Sequence, residues 1–212
     1  MSLRALLPPS CCVVEHAGPW PAAPLHPEEA RALGAVAELR RAEFTAGRAC
    51  AHAALAALGV PAAPIGRADD RAPRWPAGVV GSITHCAGYV AAAVATAATA
   101  RALGVDAEPN QPLPHDVLAT IASATERRWL AAPPPGTTCW DRLLFSAKES
   151  VYKAWRPLAG TWLGFEDVEL TIDPATATFV AALAVPGPLH QLVGRFTATS
   201  THLLTAVLVA PA

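Results

Sequence analysis

Two segments of the chain repeat the same order of residues, and this repetition constrains the fold more than any other feature. Residues 82–90 and 200–207 both place a hydroxyl residue and a histidine before an apolar run that favours a strand. A segment that favours a helix and contains a phenylalanine precedes each of them. Internal similarity of this kind is typical of a chain built from repeated structural units. We therefore predict two related halves that join near Ala102.

The segment from Phe145 to Trp155 predicts a helix with one apolar face. Apolar residues recur at helical spacing, namely Leu144, Ala147, Val151, Ala154, Trp155 and Leu158. Pro157 is expected to end the helix. The opposite face carries Glu149 between Lys148 and Lys153. These residues alone leave two interpretations open, a solvated helix face with favourable ion pairs or a site that binds an anion.

A pair of acidic residues decides between them. Asp106 and Glu108 lie two residues apart in a predicted strand, so their side chains point to the same face, roughly 7 Å apart. Two unpaired carboxylates repel each other, and a bound cation would stabilise both. Mg²⁺ prefers such oxygen ligands and leaves other positions to water and phosphate. With Glu149 as a third carboxylate, the pattern predicts a site for a metal-bound phosphate.

The two motifs together carry a family resemblance. Residues 104–108, Gly-Val-Asp-Ala-Glu, and residues 145–153, Phe-Ser-Ala-Lys-Glu-Ser-Val-Tyr-Lys, resemble the paired signature of the 4'-phosphopantetheinyl transferases of the surfactin- and enterobactin-synthetase type. The resemblance implies an α+β fold in which one chain forms a pseudo-twofold pair of α/β halves, with the active site in the cleft between them. Residues 1–101 would bind the nucleotide side of coenzyme A, and residues 102–212 would carry the metal-binding and catalytic residues.

The resemblance also implies the reaction. The enzyme would transfer 4'-phosphopantetheine from coenzyme A to a serine of an apo carrier domain and release adenosine 3',5'-bisphosphate. Mg²⁺, with Mn²⁺ as an alternative, would be bound by Asp106, Glu108 and Glu149. Lys148 and Lys153 would stabilise charge on the phosphoryl oxygens. Either Glu149 or Glu108 would accept the serine proton.

A second set of implied ligands for coenzyme A lies in the N-terminal half. Arg48, in a Phe-x-x-Gly-Arg motif, suits the 3'-phosphate because a planar guanidinium binds phosphate through two hydrogen bonds. Arg41, seven residues earlier, is a further candidate. His85 ends the segment Ser-Ile-Thr-His, whose family counterpart contacts the phosphates of coenzyme A. Ser82 and Thr84 of the same segment complete the predicted set.

The loop that precedes this segment departs from the family pattern. Family members carry a basic, glycine-rich loop that ends in Pro-x-Trp-Pro, here residues 73–76. Asp69 and Asp70 occupy positions where glycine or a basic residue is expected. The sequence leaves open whether Arg67 or Arg71 binds the nucleotide phosphates.

Two aromatic residues resemble the family's contacts to the pantetheine arm. Trp162 begins the segment Trp-Leu-Gly-Phe, and Tyr152 of the predicted helix is expected to face it. The alternative for both residues is that they fill the core.

Carrier domains of polyketide, nonribosomal peptide or fatty acid synthases are the implied partners. In the family, the region that follows Pro114 lies near the carrier protein. Four residues there would either contact an acidic helix of the partner or form the core and surface of an ordinary helix, namely Leu118, Ile121, Arg127 and Arg128.

Composition excludes several other classes of protein. A net charge of -1 and a pI near 6.6 argue against nucleic acid as the main partner, because binding to the phosphate backbone needs a basic surface. The five cysteines form no Cys-x-x-Cys pair, which favours a reducing compartment. We find no signal peptide and no membrane span, and we expect a cytoplasmic monomer.

Two rival functions remain at this stage. A Mg²⁺-dependent nuclease or phosphodiesterase also uses clustered acids and lysine, but the near-neutral pI weighs against it. A non-catalytic module that binds coenzyme A or a carrier domain would predict the loss of one carboxylate, and all three are present.

Overall fold

Two larger antiparallel sheets, each packed against one long helix, form most of the protein, and residues 66–67 and 73–74 form a third, two-stranded sheet. The computed structural model describes residues 2–20, 23–68 and 70–211. The helices are α1 (Pro27–Leu33), α2 (Glu38–Ala57), α3 (His115–Ile121), α4 (Ala124–Leu130) and α5 (Trp140–Ala159). The strands are β1 (Cys12–Ala17), β2 (Gly66–Arg67), β3 (Pro73–Arg74), β4 (Val79–Cys86), β5 (Tyr89–Thr96), β6 (Ala102–Pro109), β7 (Val168–Asp173), β8 (Thr178–Leu183), β9 (Gln191–Ala198) and β10 (His202–Val209). The predicted α+β architecture of two sheet-and-helix halves is confirmed.

The first sheet has the order β1-β5-β4, so β5 is its central strand. Residues 89–95 of β5 are all buried, because the strand is covered on both faces. Val90, Ala92 and Val94 pack against α2. The alternate residues Ala91 and Ala93 pack in a second cluster, which includes residues of β6. The prediction of a strand buried on both faces is confirmed.

The second sheet has the order β6-β10-β9-β8-β7, and α5 packs across β6 and β10. The predicted apolar face of α5 is confirmed, since Leu144, Ala147, Val151, Ala154 and Trp155 are at most 1% exposed. The prediction that Pro157 ends this helix is wrong. Proline in the last turn removes only one backbone hydrogen bond, and the helix ends at Gly160, whose φ of +67° gives a left-handed cap.

Gly104 allows α5 to pack directly on the backbone of β6. A Cβ at this position would lie 2.0 Å from the carbonyl oxygen of Ser150 and 2.7 Å from the amide nitrogen of Ala154. Both distances are shorter than any real contact of a Cβ, so a larger residue would push the helix away from the strand. The glycine of the Gly-Val-Asp-Ala-Glu motif therefore fixes the spacing between the strand with the two acids and the helix with Glu149.

The two sheets meet where β4 lies against β6. Two hydroxyl groups of β4 accept hydrogen bonds from backbone N–H groups of β6. The N–H of Val105 donates to Ser82 Oγ at 3.1 Å, and the N–H of Ala107 donates to Thr84 Oγ1 at 3.0 Å. We call this arrangement the hydroxyl seam. It joins the halves through side chains in place of a backbone ladder.

A short helix supports the outer edge of the second sheet. α4 begins with a capping box in which Ser123 Oγ accepts from the N–H of Glu126, and the Glu126 carboxylate accepts from the N–H of Ser123. The other oxygen of Glu126 accepts from the N–H of Leu170 in the edge strand β7 at 2.8 Å.

Among the described helices, none is both long and apolar enough to cross a membrane.

Candidate active site

A cavity of about 350 Å³ lies between the two halves, with walls from α2, β4, the loop that precedes β4 and α5. We call it the cleft cavity. Two carboxylates, Glu43 and Asp70, and six basic side chains line it, the basic ones being Arg40, Arg48, Arg67, Arg71, Lys153 and Arg156. Since the whole chain has a net charge of only -1, positive charge is concentrated here. A cavity of this kind suits a polyanionic ligand.

Arg48 contributes a buried cation to the wall of the cleft cavity. Its guanidinium lies 4.7 Å from the ring centroid of Phe44, and Nη2 donates to the carbonyl oxygen of Gly66 at 3.3 Å. Its buried Nε–H has no acceptor among the described residues. Burial lowers the pKa of Arg48 to about 10, while Glu29 acts in the opposite direction. A buried cation with an unsatisfied N–H is stabilised by an anionic oxygen.

His85 lies in the same wall, next to a residue that the sequence reasoning missed. Arg40 Nη1 donates to His85 Nε2 at 3.0 Å, and Glu43 Oε2 lies 3.9 Å from His85 Nδ1. Burial lowers the pKa of His85, and the Glu43 carboxylate opposes this shift. Arg40 and His85 both line the cleft cavity.

The structure contradicts the placement of Arg41 in this site. Its Nη2 donates to the carbonyl oxygen of Gly34 at 3.2 Å on the exposed side of α2. The residues of α2 that line the cavity recur at i, i+3, i+4, i+7 and i+8, namely Arg40, Glu43, Phe44, Gly47 and Arg48. The seven-residue spacing between Arg41 and Arg48 suggested a shared face, whereas this longer pattern identifies Arg40.

The structure also contradicts the predicted role of two hydroxyl groups as ligands of coenzyme A. The hydroxyls of Ser82 and Thr84 are turned toward β6, where they form the hydroxyl seam. Both residues are buried. Because side chains alternate along a strand, residues 81, 83 and 85 of β4 face the cleft cavity; Ser82 also borders this cavity, but its hydroxyl is directed to β6.

The loop before β4 brings both candidate arginines, Arg67 and Arg71, to the cavity. Arg67 Nη1 donates to the carbonyl oxygen of Ala32 at 3.4 Å, and Arg71 adopts a left-handed backbone conformation with φ of +71°. Asp70 forms an ion pair of 2.8 Å with Arg156 of α5, so the loop contacts the other half. Asp69, the other unexpected acid, lies outside the described residues. The choice between Arg67 and Arg71 therefore stays open.

Asp106 lies at the centre of the acidic part of the site. Lys153 Nζ donates to its Oδ1 at 2.6 Å, and Thr84 Oγ1 donates to the same oxygen at 3.2 Å. Its Oδ2 is buried and has no hydrogen-bond donor among the described residues. A buried carboxylate oxygen without a partner is costly, so this oxygen is suited to a cation.

Glu108 is held by Arg142, a residue that the sequence did not indicate. Arg142 Nη1 of α5 donates to Glu108 Oε2 at 3.0 Å, and the Arg142 guanidinium also donates to the carbonyl oxygens of Gln111 and Pro112. Burial and then the charge of Asp106 raise the pKa of Glu108 to about 7, although Arg142 opposes this shift. Protonation of Glu108 therefore competes with any cation for this carboxylate near neutral pH.

Glu149 reaches the same region from α5. Burial raises its pKa, the charge of Lys153 acts in the opposite direction, and the charge of Asp106 raises the pKa further. No hydrogen bond to its carboxylate is present among the described residues, in contrast to Asp106 and Glu108. Its oxygens are therefore available to a ligand.

The three predicted metal ligands do not form a preformed cluster. Across residues 2–20, 23–68 and 70–211, no three His, Cys, Asp or Glu side chains converge as a metal site. Lys153 and Arg142 instead pair with Asp106 and Glu108. The chemistry still fits a hard divalent cation, because the buried Oδ2 of Asp106 lacks a partner and the carboxylate of Glu149 makes no hydrogen bond within the described chain.

A second cavity, of about 160 Å³, lies beside α5, and we call it the arm cavity. Tyr152 lines both cavities, so its side chain lies at the border between them. The exposed ring of Trp162 lies over Tyr152 with 5.1 Å between centroids. The remaining wall residues are Lys148, Glu149, Leu163, Gly164, Phe165 and Val168. The predicted proximity of Tyr152 and Trp162 is confirmed, and neither residue simply fills the core.

Lys148 lines the arm cavity and not the cleft cavity, and its ammonium is engaged elsewhere, which contradicts its predicted contacts to the phosphates in catalysis and coenzyme A binding. Its ammonium is buried and donates to Glu126 Oε2 at 2.9 Å and to the carbonyl oxygens of Ile121 and Phe165 at 2.7 and 2.9 Å. Burial lowers the pKa of Lys148, and the hydrogen bond and charge of Glu126 oppose the shift. All three ammonium protons have acceptors, so the group has none left for a ligand.

Two family models match the chain. The model of the 4'-phosphopantetheinyl transferase N-terminal domain matches residues 28–95, and the model of the 4'-phosphopantetheinyl transferase superfamily matches residues 102–207. Together they cover both halves and the site residues described above.

Three relatives agree with these models. 4'-Phosphopantetheinyl transferase Svp of Streptomyces mobaraensis is 49% identical over 218 residues, which cover 97% of this chain and 89% of the relative. 4'-Phosphopantetheinyl transferase Npt of Nocardia iowensis is 43% identical over 196 residues, 86% of this chain and 88% of the relative. Enterobactin synthase component D of Salmonella typhi is 39% identical over 139 residues, 65% of this chain and 57% of the relative. The chain therefore belongs to the 4'-phosphopantetheinyl transferase superfamily and is an enzyme of that type.

Proposed function

We propose that this enzyme transfers 4'-phosphopantetheine from coenzyme A to a serine hydroxyl of an apo carrier domain, with Mg²⁺ bound, and releases adenosine 3',5'-bisphosphate. The observation that carries the proposal is that two cavities of different character border each other at Tyr152. One cavity is rich in arginine and the other is narrow and mostly apolar. Lys153, Asp106 and Glu149 lie near this junction.

The cleft cavity suits the nucleotide and its phosphates. Arg48 would bind the 3'-phosphate through its unsatisfied Nε–H, and Arg40 and His85 would donate to the pyrophosphate. Charge-assisted hydrogen bonds of this kind contribute about 1.5–3 kcal/mol each. Arg67 or Arg71 would add a further contact from the loop before β4.

The arm cavity suits the pantetheine arm. Its lining includes the rings of Tyr152, Trp162 and Phe165 and the side chain of Leu163, which would cover an extended, weakly polar chain. This arrangement would leave the pyrophosphate at the junction of the two cavities. There Lys153 would donate to a phosphoryl oxygen while it still contacts Asp106.

Mg²⁺ or Mn²⁺ would be held by Asp106, Glu108 and Glu149. When bound, the cation supplies positive charge that neutralises the pyrophosphate and stabilises the leaving group. Lys153 and Arg142 already pair with two of these carboxylates. Lys153 and Arg142 would each need to share their carboxylate with the cation or shift toward the phosphate.

The transfer step needs a base for the serine proton. The serine oxygen forms a bond to the phosphorus that carries pantetheine, and the bond from this phosphorus to the bridging oxygen of the pyrophosphate breaks. Adenosine 3',5'-bisphosphate leaves with that electron pair. Of the two candidate bases, the structure favours Glu149, because Arg142 occupies Glu108 Oε2 and the Glu149 carboxylate makes no hydrogen bond within the described chain.

The proposed partners are acyl or peptidyl carrier domains of polyketide, nonribosomal peptide or fatty acid synthases, and the proposed state is a cytoplasmic monomer. Ile121, one of four residues considered for the contact with the carrier, is 3% exposed and belongs to the core. Arg127 and Arg128 lie in the last turn of α4 and are exposed. They remain candidates for contact with an acidic helix of the carrier.

Intact mass spectrometry tests the proposal directly. The protein is incubated with coenzyme A, Mg²⁺ and a panel of apo carrier domains, and at least one domain should gain the mass of one phosphopantetheine. The Glu149→Gln variant should be folded and transfer little. A carrier whose acceptor serine is replaced by alanine should gain no mass. Full transfer in the presence of a chelator would overturn the metal requirement, and no transfer to any carrier would overturn the proposal.

A further inference from the structure

Thr84 uses its hydroxyl group in both directions. Its Oγ1 accepts from the N–H of Ala107 at 3.0 Å and donates to Asp106 Oδ1 at 3.2 Å. A hydroxyl group has one proton to donate. Because Oγ1 accepts the hydrogen bond from Ala107 through a lone pair, its proton is free to donate to the Asp106 carboxylate. Thr84 is 3% exposed on β4, and its β-branched side chain has a restricted χ1 angle.

The two oxygens of Asp106 have different surroundings. Oδ1 accepts from both Thr84 and Lys153, while the buried Oδ2 accepts from no described residue. Lys153 Nζ also donates to the carbonyl oxygen of Val105 at 3.1 Å, so this ammonium is anchored beside Oδ1 and acts together with Thr84. Thr84 lies on a strand of the other half and approaches from a fixed direction, so it distinguishes the two oxygens.

We infer that Thr84 is a positioning residue, which holds Asp106 in the orientation that presents Oδ2 to the divalent cation. This inference rests on the proposed function, in which Asp106 is a metal ligand. It replaces the expectation that Thr84 contacts coenzyme A. Hydrogen bonds from neighbouring residues orient metal ligands generally, and their removal weakens metal affinity by about 10–100-fold.

Ser82 provides a matched control in the same strand. Its hydroxyl also accepts from a backbone N–H of β6, that of Val105, at 3.1 Å, and it is 4% exposed. No hydrogen bond from Ser82 to a carboxylate is present in the described chain. Removal of either hydroxyl leaves one buried N–H of β6 without an acceptor, so both changes weaken the hydroxyl seam to a similar extent. Only the change at Thr84 also removes a donor to Asp106.

The experiment measures Mn²⁺ binding by calorimetry in the absence of coenzyme A and carrier. Thr84→Val should bind Mn²⁺ about tenfold more weakly than the wild type. Ser82→Ala should stay within about twofold of the wild type, and Thr84→Ser, which keeps the donor, should stay within about threefold. The melting temperature without metal should fall in both Thr84→Val and Ser82→Ala. If Thr84→Val does not fold, Thr84→Ala is measured in its place.

Activity gives a second readout. Thr84→Val should need about tenfold more Mg²⁺ for half-maximal transfer, while the KM for coenzyme A at saturating Mg²⁺ stays within about twofold. Unchanged Mn²⁺ affinity with a lowered melting temperature would show that Thr84 only stabilises the fold and would overturn the inference. A raised KM for coenzyme A with unchanged Mg²⁺ dependence would overturn it in favour of a substrate contact. A wild-type enzyme that binds no Mn²⁺ would overturn the inference together with the proposed metal site, whereas unchanged binding in Thr84→Val alone overturns only the inference.

Discussion

Lys148 of α5 has two possible roles, a contact to phosphate or compensation of the buried Glu126 carboxylate. Its replacement by methionine distinguishes them. If its ammonium contacts phosphate, Lys148→Met removes activity and leaves stability intact. If it compensates Glu126, as the structure indicates, the variant loses stability first. Both side chains are only 1% exposed, and the ion pair is 2.9 Å long.

The expected loss follows from the charge that remains. Removal of one partner from a buried ion pair costs about 3–5 kcal/mol, because the other charge stays buried without compensation. Glu126 keeps the N–H donors of Ser123 and Leu170, at 2.7 and 2.8 Å, so the lower end of this range applies. A loss of about 3 kcal/mol lowers the melting temperature of a chain of this size by about 6–12 °C.

Urea unfolding gives the free energy, and transfer assays at a temperature where each variant is folded give the activity. Lys148→Met should retain a kcat within about threefold of the wild type, since stability and chemistry use different residues here. Lys153→Met, which removes the ammonium at the cleft cavity, should lose most of its transfer activity. The Lys148→Met/Glu126→Gln double variant should be more stable than Lys148→Met alone by about 1 kcal/mol or more. Wild-type stability with abolished transfer in Lys148→Met would refute this account.

Three further predictions follow from the same contacts. Gly104→Ala should destabilise the fold by about 3 kcal/mol in urea unfolding, because its Cβ would lie 2.0 Å from a carbonyl oxygen of α5. The control Gly66→Ala, whose Cβ would have its nearest atom at 3.4 Å, should cost less than about 1 kcal/mol. Equal losses in the two variants would contradict the close packing of α5. Arg48→Ala should weaken coenzyme A binding about 10–100-fold and remove most of the preference over dephospho-coenzyme A in calorimetry, and an unchanged preference would move the 3'-phosphate elsewhere. The pKa of Glu108 is raised from 4.5 to about 7 in the folded protein, so between these values the folded state binds more protons than the unfolded chain. The free energy of unfolding without metal should therefore decrease from pH 5 to 7.5, and Glu108→Gln should reduce this decrease. An identical pH profile in the variant would contradict the shift.

Local periodicity was sufficient to predict the framework of the site. The apolar face of α5, the fully buried strand β5 and the acids of β6 all follow from patterns within one element, and the structure agrees with each. The spacing of Asp106 and Glu108 placed both carboxylates on one face of β6. Contact with Lys153 then brought α5 to the same point.

Contacts between elements could not be predicted in the same way. Lys148 and Lys153 look equivalent in the sequence, yet five residues on a helix rotate a side chain by about 140°. One lysine therefore points to α4 and the other to β6. The partners of Lys148, Ser82 and Arg142 lie between 17 and 34 residues away along the chain, and no local pattern identifies them.

The position of β6 explains why the site requires both halves. Along one edge β6 pairs with β10 through a continuous antiparallel register, in which Asp106 lies opposite Thr205. Against β4 it is held by the hydroxyl seam, and Thr84 of that seam contacts Asp106. Lys153 approaches the same carboxylate from α5. Asp106 is therefore supported by one residue from each half, and a change that separates the halves removes the Thr84 hydrogen bond from this carboxylate.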